Sequence, residues 1–259
     1  MLDVSPIAAF DDNYIWLLRD SGGDVVIVVD PGDEEPVLER LQHEGLTLGG
    51  ILLTHKHGDH TGGVADLVRA WPGVPVFGPA AEPIKGLTVT VKEGDCVSVP
   101  GVAAEFRVMD VPGHTEGDVA YYGEGALFCG DTLFASGCGR VFSGTHRQLH
   151  DALQRIAMLP PETLIYCAHE YTEANIGFAR WVEPENRAIQ TRQTDARRLR
   201  AAGKPTVPST LKLELETNPF MRTTVQVVVS AAARYMGREP ADGGEVFTAI
   251  REWKDREYD

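Results

Sequence analysis

Four side chains able to ligate a metal ion, His55, His57, Asp59 and His60, fall within six residues of Leu53-Thr54-His55-Lys56-His57-Gly58-Asp59-His60-Thr61-Gly62-Gly63. The apolar run Gly50 to Leu53 precedes this segment. The helical periodicity Val64, Leu67, Val68, Trp71 follows it, so the donors sit on a loop between a strand and a helix. Side chains of an extended stretch alternate in direction, which turns His55 and His57 towards one ion. The turn after them lets Asp59 and His60 face a neighbouring ion. A fold built around this loop must bring further donors to the same place.

Three later residues meet that demand. His114 stands in the turn Val111-Pro112-Gly113-His114-Thr115, after a strand pattern that ends at Asp110. Asp131 follows the apolar run Ala126 to Cys129, and His169 follows Thr163 to Cys167. Each alone would suit a turn, a cap or a structural role. Together they mark the C-terminal ends of successive strands, where loops converge on one cleft. His55, His57 and His114 are expected on one ion, and Asp59, His60 and His169 on the other, with Asp131 bridging. Nitrogen and oxygen donors in this mixture suit two first-row divalent ions, zinc first, with iron and manganese as alternatives.

Up to Cys167 the chain reads as short apolar strands punctuated by Gly and Pro. They are Asn13 to Leu18, Asp24 to Val29, Gly50 to Leu53, Val102 to Asp110, Asp118 to Tyr122, Ala126 to Cys129 and Thr163 to Cys167. Asp33 opens a helix that buries Val37, Leu38 and Leu41 and stops at Gly45. After His169 the texture is helical, with helices expected from Pro184 to Gly203, around Val225 to Tyr235 and around Gly244 to Trp253. Glu183 and Arg187 are spaced for an i,i+4 pair, and Arg192, Arg197, Arg198 and Arg200 read as a solvated helix face. The expected organisation is a β-rich domain over 1–170 and a helical one over 171–259.

A formal net charge of -14 opposes binding to a phosphate backbone, so nucleic acid is not an expected partner. The apolar run Val25 to Val29 is far short of the roughly 20 residues that span a bilayer. Asp3, Asp11 and Asp12 precede the first basic residue, Arg19, which is the wrong polarity for a secretory signal. A cytoplasmic monomer without membrane contact is expected. Cys96, Cys129, Cys138 and Cys167 fit neither a disulfide framework nor a thiolate zinc site.

Two ions about 3.5–4 Å apart hold a hydroxide between them by lowering the pKa of bound water towards about 7. A free oxygen of Asp59 would orient that nucleophile, with Asp131 holding the ions together; these two are the expected catalytic carboxylates. The motifs offer no strong general acid. That agrees with a thioester or another activated ester, since a thiol with a pKa near about 8.5 can depart as thiolate.

The pattern H-x-H-x-D-H with His114, Asp131 and His169 resembles the metallo-β-lactamase superfamily. The resemblance implies an α/β fold, an αββα sandwich of two sheets with helices on both outer faces. Phe10-Asp11-Asp12-Asn13-Tyr14-Ile15-Trp16, Gly130 to Arg140, Cys167-Ala168-His169-Glu170-Tyr171-Thr172 and Asn218-Pro219-Phe220-Met221-Arg222 are further similar to glyoxalase II, the hydroxyacylglutathione hydrolases. That likeness runs over nearly the whole chain. It implies hydrolysis of S-(2-hydroxyacyl)glutathione, chiefly S-D-lactoylglutathione, to glutathione and D-lactate in methylglyoxal detoxification, with the helical tail binding glutathione. By the same likeness Arg140, Tyr171, Arg251 and Lys254 are expected to bind substrate. Cations there suit glutathione, which carries two carboxylates that an acidic protein must hold locally. Phe142 stands where the family often has a second tyrosine, and Asp118 where it commonly has histidine. The rival readings are a lactonase or other thioesterase of the same fold, or an iron-dependent persulfide dioxygenase.

Overall fold

The computed structural model describes residues 2–258. The chain divides into two compact units. One is the chain up to Asp110 together with Gly117–Gly130; the other is Val111–Glu116 with the chain from Asp131 onward.

The first unit runs β1 (Leu2–Ala9), β2 (Asn13–Asp20), β3 (Val25–Val29), α1 (Glu35–Glu44), β4 (Thr47–Leu52), α2 (Gly58–Thr61), α3 (Val64–Ala70), β5 (Val76–Pro79), β6 (Val89–Val91), β7 (Cys96–Val99), β8 (Val102–Asp110), β9 (Val119–Gly123) and β10 (Ala126–Gly130). Strands β1 to β6 form a six-stranded sheet in chain order, antiparallel as far as β3 and parallel from there. Parallel neighbours need a crossover, which α1 supplies between β3 and β4 and α3 between β4 and β5. Asp33 Oδ1 accepts the Glu35 amide at 3.0 Å before α1. Gly45, at φ 68°, ends that helix by donating its N–H to Leu41.

Val26, Val28, Ile51 and Leu53 share one core cluster with Val37 and Leu41 of α1 and Val64 and Leu67 of α3. The alternate residues Trp16, Leu18, Ile27, Val29 and Leu52 are buried as well, and β2 and β3 also contact β8. Burial on both faces explains why these strands are nearly continuous apolar runs. Strands β7 to β10 pair as an antiparallel meander, in which β8 alternates buried and exposed positions, as a one-sided strand does.

The second unit contains β11 (Leu133–Phe134), β12 (Gly137–Cys138), α4 (His146–Ile156), β13 (Leu164–Cys167), α5 (Thr172–Val182), α6 (Arg187–Ala201), β14 (Ser209–Thr210), α7 (Leu211–Thr217), α8 (Gln226–Met236) and α9 (Gly243–Glu257). The hairpin of β11 and β12 turns through Ser136 at φ 57°. Two side chains, one from within α7 and one from its C-terminal cap, pin it. Glu214 accepts the Ser136 amide at 2.8 Å, and Asn218 Nδ2 donates to the carbonyls of Phe134 and Gly137 at 3.2 and 2.8 Å. Glu214 is fully buried and is balanced by Arg192 of α6, which also donates to Thr217 at 2.6 Å.

The strand and helix patterns read from the sequence fall on β2, β3, β4, β8, β9, β10 and β13 and on α1, α3, α6, α8 and α9. Helix α6 starts at Arg187 rather than Pro184, because Asn186 accepts the amides of Ala188 and Ile189 and acts as the cap. Glu183 does not pair with Arg187: Arg222 grips it with two hydrogen bonds of 2.8 and 3.0 Å. Of the four arginines expected on a solvated face, Arg192 is buried, because Glu214 offers an interior partner.

The cysteines are free, with Cys96 exposed and the other three buried. Burial pushes the thiol of Cys138 up to about 11 and that of Cys167 up to about 12, so both stay protonated near neutral pH. Iodoacetamide at neutral pH is expected to label Cys96 alone in the folded protein. Peptide mass spectrometry checks this, and equal labelling of Cys138 or Cys167 would contradict it.

Candidate metal centre

In the first unit the histidine loop hangs from Asp30, which closes β3 in a left-handed conformation at φ 53°. Asp30 Oδ1 accepts the Thr54 amide at 2.8 Å and Oδ2 accepts the Thr54 hydroxyl at 2.7 Å. With its proton spent on Asp30, Thr54 Oγ1 accepts from His55 Nδ1 at 3.0 Å. His55 Nε2 is thereby left with its lone pair, and it lies 3.0 Å from His57 Nδ1. His60 sits with Nδ1 3.0 Å from Asp30 Oδ2 and Nε2 3.6 Å from Asp59 Oδ2. Asn13 Nδ2 donates to the Asp59 carbonyl at 3.3 Å and to its carboxylate at 3.4 Å.

The loop is set against Gly32 at a distance no other residue permits. A Cβ there would lie 1.9 Å from the Asp59 carbonyl oxygen. Gly32→Ala is therefore expected to displace Asp59, to cost about 1–3 kcal/mol of stability through overpacking and to weaken metal retention. Urea unfolding and metal analysis of the purified variant check both effects.

In the second unit His114 Nδ1 donates to the Arg140 carbonyl at 2.7 Å, which assigns the proton to that nitrogen. Its Nε2 faces Asp131 Oδ2 at 3.4 Å, while the other oxygen of Asp131 faces His169 Nε2 at 3.3 Å. Tyr171 lies flat on the His169 ring, with centroids 4.7 Å apart and planes 4° apart, and Phe134 meets both rings edge-on.

A nitrogen lone pair aimed at a carboxylate oxygen repels it unless positive charge lies between them. His114 and Asp131 therefore call for a second proton or a metal ion. Among the described residues, ligand atoms of His55, His57, His114 and Asp131 lie within 4.8 Å of one another, and so do those of Asp59, His60 and His169. Neutral imidazoles and carboxylates in these two groups fit divalent metal ions.

The residues expected to bind substrate stand in different environments. Arg140 has an exposed side chain with Nε 3.8 Å from Asp255 Oδ1. Arg251 is 1% exposed, lies over the Phe220 ring, and donates to the Cys138 carbonyl at 3.1 Å and to Asp255 at 2.8 Å. Lys254, one turn further along α9, lies over the Tyr258 ring. Tyr171 is part exposed above His169, and Phe142 is exposed with its ring 5.2 Å from that of His114. Asp118 is buried. The sequence reading missed Asp30 and Thr54 as supports; the signal was Asp-Pro-Gly directly after the apolar run of β3.

Residues 9–169 match the metallo-beta-lactamase superfamily, and residues 170–257 match the hydroxyacylglutathione hydrolase C-terminus. The hydroxyacylglutathione hydrolase of Vibrio parahaemolyticus is 51% identical over 98% of this chain and 99% of its own length. The solved protein TTHA1623, in a di-iron-bound form, is 30% identical, with a TM-score of 0.59 over 84% of this chain and 100% of that one. ETHE1 from Myxococcus xanthus shares the fold, with a TM-score of 0.63 and 24% identity over 85% of this chain and 83% of that one. The expected α/β fold class, with its helical C-terminal domain, is borne out. On the metal-ligand geometry, two family matches that together span nearly the whole chain, and a relative at half identity, the chain belongs to the hydroxyacylglutathione hydrolase family of the metallo-beta-lactamase superfamily.

Proposed function

We propose that the chain hydrolyses S-(2-hydroxyacyl)glutathione thioesters, S-D-lactoylglutathione foremost, using two divalent ions held by His55, His57 and His114 and by Asp59, His60 and His169, with Asp131 shared. The observation that carries this reading is the meeting of those donors in two groups. Ions so held supply a nucleophile at neutral pH and polarise the thioester carbonyl. The protein's own part is orientation: Thr54 and the Arg140 carbonyl fix which nitrogens of His55 and His114 are free to ligate. Asn13 steadies Asp59, whose carboxylate orients the attacking oxygen. Zinc is the first choice for both positions, and the di-iron form of TTHA1623 makes iron the second.

Residues up to 170 carry the catalytic ligands in this reading, and 171–259 form the part that binds glutathione. Arg140 and Lys254 offer cations to the glutathione carboxylates, and Tyr171 a phenol beside His169. Arg251 acts from beneath, gripping the Asp255 that also faces Arg140. We place the enzyme in the cytoplasm as a monomer; among the described residues no helix is long and apolar enough to cross a membrane.

The deciding experiment is the initial rate of S-D-lactoylglutathione hydrolysis before and after chelation, with metal analysis of the purified protein. Turnover lost with the metal and restored by zinc is the expected result; a metal-loaded protein that leaves the thioester intact would sink the proposal. At the substrate edge, Phe142→Tyr restores a hydroxyl that the family often carries, and is expected to lower KM severalfold, in line with about 1 kcal/mol for one hydrogen bond. An unchanged KM would remove Phe142 from the glutathione contact.

A further inference from the structure

Glu82 is a buried carboxylate outside the ligand set, with only 1% of its side chain exposed. Its two oxygens point at two different parts of the metal-binding sequence. Oε1 accepts the Gly117 amide at 2.9 Å, three residues past His114. Oε2 lies 3.0 Å from the ammonium of Lys56, the residue between His55 and His57. A Cβ on Gly117 would come within 2.8 Å of Glu82 Cγ, so this stretch is pressed directly onto the glutamate. Glu82 is itself held on a tight turn, with its amide donating to Pro79 and its carbonyl accepting from Ile84.

The charges give the arrangement its sense. A lysine between two metal-ligating histidines sets a fixed positive charge beside a site meant for a cation, and in a partly buried setting that repulsion is weakly screened. A carboxylate buried to this degree is retained only when it is paired. Resting on the metal-hydrolase reading above, we propose that Glu82 is a positioning residue of the metal centre: it neutralises Lys56 next to His55 and His57 and braces the segment that follows His114.

The test is zinc affinity, measured by competition with a chromophoric chelator, in the parent, Glu82→Gln and the double variant Lys56→Met/Glu82→Gln. Glutamine keeps the size and the acceptor for Gly117 but removes the negative charge that Glu82 sets 3.0 Å from Lys56. E82Q is expected to bind zinc about 10- to 100-fold more weakly, the range found when partners of metal ligands are removed. Removing the lysine as well is expected to return affinity to within about threefold of the parent. A purely structural role would leave the double variant no better than E82Q. The proposal is overturned if E82Q keeps the parent's affinity, or if the double variant stays as weak as E82Q. Should E82Q fail to fold without metal, the double variant, from which the whole charge pair has gone, decides alone by matching the parent or falling short. Metal content and thioesterase rate of the parent test the underlying reading separately, since its failure would appear in the parent and not only in the variants.

Discussion

Asp131→Asn is expected to lower kcat/KM for S-D-lactoylglutathione by about 10³-fold and to reduce bound metal from two ions per chain towards one. The substitution preserves shape and changes one oxygen into a donor. In the native arrangement one carboxylate oxygen faces His114 Nε2 and the other faces His169 Nε2. An amide nitrogen at either place would donate to the imidazole lone pair and close that position to an ion. Because an amide ligates through its oxygen only, the shared position becomes a single one. Metal analysis by mass spectrometry alongside steady-state kinetics gives both numbers. A variant holding two ions and turning over within about tenfold of the parent would show that Asp131 is not the bridge.

Arg192→Ala is expected to destabilise the protein by about 3–5 kcal/mol, the cost of leaving a buried carboxylate without its countercharge. Glu214 has no exposed surface, and besides Arg192 it accepts from Ser136, Ser209 and Asn218. The loss will be felt beyond α6, because Glu214 anchors the turn between β11 and β12. That turn follows Asp131 in the chain and leads to Arg140, whose carbonyl orients His114. A change in the urea midpoint equivalent to less than about 1 kcal/mol would mean that Glu214 is satisfied without the arginine.

The donors that gather in two groups were legible in the sequence because the loop pattern is local and each later donor follows a clear strand. Their supports were less so. Asp30 meets Thr54 across 24 residues of chain and Glu82 meets Gly117 across 35, and no periodicity encodes such partners. The same limit misassigned Arg192, which shares the buried face of its helix with Ile189 and Ala196 but reads as one more solvated charge until Glu214 is brought against it from another element. Strands β11, β12 and β14 have two residues each and carry no pattern to read. Helix α4 did have its signals, a Thr145 cap and buried Leu149, Ala152, Leu153 and Ile156 at helical spacing, but they lie between Arg140 and Thr163, where no element was expected. Arg251 was anticipated by similarity as a substrate cation, and the interior site it occupies was not.

One oxygen of Asp30 serves a ligand from each metal group: it takes the hydroxyl of Thr54, which orients His55, and lies against His60. If the two groups hold ions as proposed, their loading is thermodynamically linked. An ion that orders His55 also stills the carboxylate on which His60 leans, so the second ion meets a ligand whose freedom has already been lost. Titration with metal should accordingly show half-loaded protein to be scarcer than two independent sites would give.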